Sequence, residues 1–263
     1  MTKVVYAGCS YTAGTGLAQE KHDPALWVNQ LHSRFFPGLI KSNVAQGGRS
    51  NAGIFQDTVK NLVAGDVGYA VVAWTSMPRY ELELGFELYD TRQCFIPNAP
   101  SRNHGLNGVT YDAKYLDNIR DRFTSLAHEC YEIINLVEYT NTIKKLAQLT
   151  DTQVFFVNAL CPWDHGFFTR LHNVLPDQYS QFTQKILQVN SRDDSEIFAL
   201  YDKLHDAVNS RGGVNDADWL NLYDSLWSIK VDSNNDGVHP GTLSNLKFVE
   251  TLSESLSLKL VID

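Results

Sequence analysis

The sequence predicts an α/β fold in three layers, a mainly parallel sheet of about five strands wrapped by helices and carrying an irregular middle insertion. Three observations predict it. Short apolar runs alternate with segments of helical period. With 43% hydrophobic residues and 11% aromatics the chain can bury a sizeable core. Its 263 residues are long for one domain but fit a single α/β unit.

In chain order, Val4–Ala7 is the first strand candidate, and Pro24–Phe36 a helix that returns the chain to a second strand at Asn43–Ala45. Asn51–Val63 then reads as a helix and Tyr69–Trp74 as a third strand, an apolar run suited to burial on both faces. Between Glu81 and Ala127 no period is sustained, and "DTRQCFIPNAPSRNHGLNGVTYDAKY" is rich in Pro, Asn, Gly and aromatics. A stretch that long without a period reads as a lid or insertion. His128–Leu149 resumes as a helix, with apolar residues at 133, 134, 137, 143, 146 and 149 along one stripe. Val154–Asn158, Ser195–Val208, Trp219–Tyr223 and Thr242–Leu256 complete the alternation as strand, helix, strand, helix. No repeat, low-complexity tract or linker divides the chain. It is expected to form one domain over 1–263, with 81–127 inserted in it.

The net charge of −8 and a pI near 5.4 match nucleic acid or an anionic membrane poorly. Cys9, Cys94, Cys130 and Cys161 form no CxxC pair, so they read as reduced thiols without a zinc or disulfide framework. No apolar run approaches a transmembrane length, and "MTKVVYAGCS" offers too short an apolar stretch for a signal peptide. A cytoplasmic protein is the expectation.

The chemistry concentrates at the two ends. "GCSYTAGTG", positions 8–16, follows the first strand directly. As a phosphate cradle it needs GxGxxG or GxxxxGK(S/T), and Gly8, Gly14 and Gly16 fit neither spacing. The remaining reading displays Ser10 where the strand's carboxyl end opens into a loop, the edge at which open α/β sheets bind ligands. A serine needs a base to take its proton and the base needs an orienting group. In "DSNNDGVHPG", His239 follows Asp236 by three residues, so one tight turn brings both to the same rim. The same stretch opens like an EF-hand calcium loop at Asp232, Asn234, Asp236 and Gly237, but Leu243 stands where the closing glutamate belongs. No metal is assigned.

Ser10 near one end and Asp236-x-x-His239-Pro240 near the other resemble the SGNH/GDSL hydrolase superfamily. The first block, usually Gly-Asp-Ser, is here Gly8-Cys9-Ser10, a variant similar to that of phage-encoded members. The resemblance implies a flavodoxin-like sheet and metal-free acyl chemistry at ester bonds, without a cofactor. It implies Ser10 as nucleophile, His239 as base and then acid, and Asp236 as the group that orients the imidazole. The second block implies an oxyanion-hole glycine after the second strand. In "NVAQGGRSN" Gly48 is the better match, with Gly47 beside it. Backbone N–H groups of Ser10 and Gly48 would receive the oxyanion.

The third block departs. Where the family carries Gly-x-Asn-Asp, this chain has "VVAWTSMPRYE", which contains no asparagine. Thr75 or Ser76 offers a hydroxyl from about the same place, and Arg79 either contributes charge or pairs with Glu81. His165, in "CPWDHGF", either lines the pocket or belongs to the loop after the fourth strand. Trp27, Trp219 and Trp227 read as core or helix-packing aromatics. The expected function is a serine esterase acting on a small-molecule or glycan acyl ester, with deacylation of a carbohydrate as one form. An acyltransferase on the same site and a binding module without catalysis are the alternatives, the second motivated by the altered third block.

Overall fold

A computed structural model describes residues 2–75, 80–83, 92–95, 126–159, 206–207, 210–212, 219–221 and 225–261. The strands are β1 (Lys3–Ala7), β2 (Ile40–Asn43), β3 (Val67–Trp74), β4 (Tyr80–Glu83), β5 (Arg92–Phe95), β6 (Gln153–Asn158) and β7 (Trp219–Asn221). The helices are α1 (Ser10–Ala13), α2 (Trp27–Phe35), α3 (Asn51–Ala64), α4 (Leu126–Leu149) and α5 (Thr242–Val261), with a 3₁₀ turn at Glu20–His22.

Five strands form a parallel sheet in the order β2-β1-β3-β6-β7. Counted within that sheet the order is 2-1-3-4-5, the flavodoxin-like doubly wound arrangement. The chain leaves β1 for the β2 side and then crosses to the β3 side. The switch point therefore lies between the carboxyl ends of β1 and β3, where a crevice opens for a ligand.

Alternating side chains divide the strands between two cores. Val5 and Ala7, Val72 and Trp74, and Phe156 face one side, where Ile54 and Leu62 of α3 and Leu136, Val137 and Ile143 of α4 pack on them. Val4 and Tyr6, Val71 and Ala73, and Phe155 and Val157 face the other, against Trp27 and Leu31 of α2 and Phe248, Leu252 and Leu256 of α5. Both faces are covered, which is why these strands read as continuous apolar runs rather than alternating ones. Each fully buried Val, Leu or Phe stabilises the fold by about 1.5–3 kcal/mol.

Four elements differ from the sequence reading. The second strand is Ile40–Asn43, ahead of the expected Asn43–Ala45, because an edge strand this exposed carries polar residues that give no apolar signal. Pairing to β1 nonetheless continues beyond it, from Val44 N–H to the Tyr6 carbonyl at 2.9 Å and Gln46 N–H to the Gly8 carbonyl at 3.2 Å. Ser10 begins the one-turn helix α1 instead of opening a loop. Within the stretch that lacks a period, β4 and β5 pair antiparallel, Tyr80 opposite Phe95 and Glu83 opposite Arg92. The helix expected at Ser195–Val208 lies almost entirely outside the described residues. Among the described residues no helix is long and apolar enough to cross a membrane.

Candidate functional site

Strand β1 delivers Ser10 to the switch point, where it is buried at 6% exposure. As the first residue of α1, Ser10 has an N–H with no partner inside its own helix. The next residue, Tyr11, is held from behind by core tryptophan Trp27, whose indole Nε1–H donates to the Tyr11 carbonyl at 3.2 Å. Trp27 is fully buried, so the ring that fixes the backbone beside Ser10 is itself fixed by packing.

The loop before α5 supplies the second half. Asp236 Oδ1 accepts the N–H groups of Val238 and His239, both at 2.9 Å. Its other oxygen, Oδ2, lies 2.5 Å from His239 Nδ1. Burial opposes ionisation of Asp236, but the His239 and Val238 N–H groups, the imidazole hydrogen bond and its charge outweigh that and hold the carboxyl down at about 2. The carboxylate is therefore an acceptor facing Nδ1; in the neutral imidazole this bond places the proton on Nδ1 and leaves the lone pair on Nε2.

The His239 ring sits 5.4 Å, centroid to centroid, from the Tyr11 ring. The loop that carries the imidazole thus packs on the residue adjacent to Ser10. Among the described residues the Ser10 hydroxyl is not hydrogen-bonded to the imidazole.

Asp232 and Asn234, which resemble calcium ligands in sequence, are engaged elsewhere. Asp232 caps α5, accepting the N–H groups of Leu243 at 3.0 Å and Ser244 at 2.8 Å and the Ser244 hydroxyl at 2.5 Å. Asn234 donates from Nδ2 to the Thr15 carbonyl at 3.4 Å. The carboxylates of Asp232 and Asp236 thus serve different parts of the loop instead of converging on one point.

The second-block turn follows β2, tied to the first block by the bond from Gln46 N–H to the Gly8 carbonyl. Gly48 has φ +77°, a left-handed conformation that suits glycine at a tight turn. Ser50 caps α3 by accepting the Gly53 N–H at 3.1 Å, and Arg49 forks onto Asp57 at 2.7 and 2.8 Å. These bonds fix the turn from its far side.

Thr75 follows β3 directly, on the opposite bank of the switch point. Asn51 at the start of α3 clasps its backbone, accepting the Thr75 N–H at 2.9 Å and donating to its carbonyl at 3.2 Å. The Thr75 side chain is fully buried, and among the described residues its hydroxyl has no hydrogen-bond partner. Ser76, Arg79 and His165 lie outside the described residues.

Sequence reasoning missed several supports. Asn245 on α5 accepts the Trp27 N–H at 3.0 Å and donates to the carbonyls of Pro240 at 3.3 Å and Gly241 at 2.9 Å, joining α2 to the residue after His239. Asn158 and Asn221 exchange three hydrogen bonds between the ends of β6 and β7. Neither asparagine belongs to a motif, and only tertiary pairing identifies them. Trp27 and Trp219 are core, as expected, but Trp227 is 50% exposed. It packs edge-on against Tyr11 under the Lys230 ammonium, on the rim beside His239.

No protein-family model matches the chain, and no curated protein matches it. Among solved structures the chain is similar to TesA, with 12% identity over 97% of this chain and 98% of that one and a TM-score of 0.45. It is similar to the psychrotrophic esterase EstA from Pseudoalteromonas sp., in a form inhibited by monoethylphosphonate, with 11% identity over 99% of each chain and a TM-score of 0.42. A third neighbour is a protein described as a G-D-S-L family lipolytic protein from Desulfitobacterium hafniense DCB-2. There the identity is 10%, over 97% of this chain and 99% of the other, and the TM-score is 0.43.

Proposed function

We propose that the chain is a serine hydrolase of acyl esters of the SGNH/GDSL type, with Ser10 as nucleophile, His239 as general base and acid, and Asp236 as its orienting carboxylate. The observation that carries this reading is the Asp236–His239 pair packed on Tyr11, next to a serine at the carboxyl end of β1. With Nδ1 committed to Asp236, His239 Nε2 takes the Ser10 proton as Oγ attacks the acyl carbonyl. The oxyanion is received by the N–H groups of Ser10 and Gly48, with the Thr75 hydroxyl as third donor in place of the family's asparagine. His239 then protonates the leaving alcohol. The acyl group on Ser10 is released as a carboxylic acid when a water, deprotonated by the same imidazole, attacks it. Acylated carbohydrates fall within this reading.

The test is active-site labelling. A fluorophosphonate should label one serine and abolish turnover of p-nitrophenyl acetate, and Ser10→Ala should lose both label and turnover while keeping its fold by circular dichroism. Labelling of Ser10→Ala, or full turnover by it, overturns the mechanism. A folded wild type that neither labels nor turns over any of a panel of simple and sugar acyl esters favours a binding module. Product analysis with added sugar acceptors separates hydrolysis from acyl transfer.

A further inference from the structure

We infer that Gly16, with Asn234, is a positioning residue for the Asp236–His239 pair, an inference that rests on the reading of that pair as catalytic. Gly16 belongs to neither reacting block. It stands three residues past the end of α1, and the backbone there closes onto both halves of the site. The Thr15 N–H donates to the Ser10 carbonyl at 3.0 Å, and the Thr15 carbonyl accepts from Asn234 Nδ2 at 3.4 Å. Asn234 in turn closes its own loop, donating its N–H to the His239 carbonyl at 2.8 Å and accepting the Gly237 N–H at 2.9 Å. A continuous set of bonds thus runs from Ser10 through Thr15 to the loop that carries Asp236 and His239.

Gly16 is where that path comes closest to the carboxylate. A β-carbon placed on it would lie 2.8 Å from Asp236 Oδ2 and 3.3 Å from both Asn234 Cβ and Nδ2. Oδ2 is the oxygen that holds the imidazole. It cannot simply swing aside, because Oδ1 is pinned by two N–H groups at 2.9 Å. The hydrogen-bearing face of Gly16 therefore acts as a stop behind the carboxylate, setting where Oδ2 lies and so how the imidazole is aimed at Ser10. A methyl group there displaces the carboxylate, and an error of about 1 Å at a catalytic group lowers turnover about a hundredfold.

Gly16 also has φ +86°, so alanine would be strained at this position whatever the space around it. Gly38 separates the two effects: its φ is +87° and a β-carbon there meets nothing within 4 Å. Gly38→Ala should lose thermal stability through backbone strain alone, and Gly16→Ala at least as much. Only Gly16→Ala should lose kcat, about a hundredfold with KM changed less than about threefold. Proton–nitrogen correlation NMR should show His239 as the Nδ1–H tautomer in the wild type and in Gly38→Ala, with that preference lost in Gly16→Ala. Retention of both kcat and tautomer in folded Gly16→Ala overturns the inference. Should Gly16→Ala not fold, Asn234→Ala is the second variant, expected to weaken the tautomer preference and lower kcat about tenfold; an unchanged tautomer in it is the refuting result. The NMR readout needs no turnover. If Ser10 fails to label and the wild type is inactive, the hydrolase reading falls while the tautomer comparison still decides the role of Gly16.

Discussion

Replacing Thr75 by valine should raise stability and lower turnover at the same time. The substitution exchanges a hydroxyl for a methyl of similar size in a fully buried side chain whose oxygen has no partner among the described residues. A buried hydroxyl left unpaired costs about 1–3 kcal/mol, so removing it should stabilise the fold by about 1 kcal/mol. For a chain of this length that is a rise in Tm of about 2–4 °C. The backbone should not respond, because the Asn51 amide holds the Thr75 N–H and carbonyl whatever the side chain.

Turnover should move the other way. A native protein that tolerates an unpartnered buried donor needs a reason for it, and a catalytic role at the switch point supplies one. Loss of one oxyanion donor typically lowers kcat by about 10²–10³-fold, with KM little changed because the bond strengthens only in the transition state. Thr75→Ser, which keeps the hydroxyl, should keep most of kcat. Scanning calorimetry and steady-state kinetics on the best ester found decide the matter. Damage to the fold would lower both quantities, so opposite signs point to the hydroxyl itself. A full kcat in Thr75→Val refutes the donor role and moves attention to Ser76 and Arg79. A fall in Tm of several degrees refutes the claim that the hydroxyl is unpaired.

Asp236→Asn should lower kcat by roughly 10²–10⁴-fold with little change in KM, because the amide no longer enforces the Nδ1–H tautomer. In the wild type the Asp236 carboxyl is held at about 2, so its stabilisation is complete above the ordinary value of 3.8 and is lost only as pH falls through about 2. A pH–rate profile between pH 5 and 9 should therefore carry no step from this group. His32 should make the fold acid-sensitive at milder pH. Burial lowers its pKa below 6.5, the Leu39 carbonyl opposes this, and Lys41 adds to it, while the Tyr6 hydroxyl faces Nδ1. Its contribution is full above 6.5 and is lost as pH falls through the lowered value, so Tm should decline below pH 6.5 with a slope that His32→Gln reduces. Asp232→Ala should lower stability by about 2 kcal/mol, measured by urea unfolding, since it strips the start of α5 of its acceptor.

The parts of the fold that were legible are those set by burial. β1, β3 and β6 are covered on both faces, so hydrophobicity alone marks them. β2 was misplaced for the converse reason, an edge strand whose exposed "IKSN" carries no apolar run. β4 and β5 are hidden because, among the described residues, two four-residue strands pair with each other alone, and period-2 patterning is too short to register at that length. α1 escaped because a single turn has no amphipathic period. The Asp236–His239 contact was legible because three residues and one turn suffice to make it, with no help from the rest of the chain.

What stayed hidden at the site depends on contacts across the chain. Trp27 reads as core and is core, yet its indole N–H also fixes the carbonyl beside Ser10. Asn51 and Asn245 look like ordinary polar positions in helices, yet each satisfies backbone groups on another element. Gly16 is the sharpest case. In "GTG" it suggests a loop, and nothing local says that residues 234–236 will lie against it. Yet the proposed nucleophile enters after the first strand and the proposed base before the last helix, so some contact must set their separation. A hydrogen-bonded route between them runs through the backbone of Thr15, the residue before Gly16. A site assembled from opposite ends of a chain places its accuracy in such joints, and a joint made of backbone is written in the sequence only as a residue with no side chain.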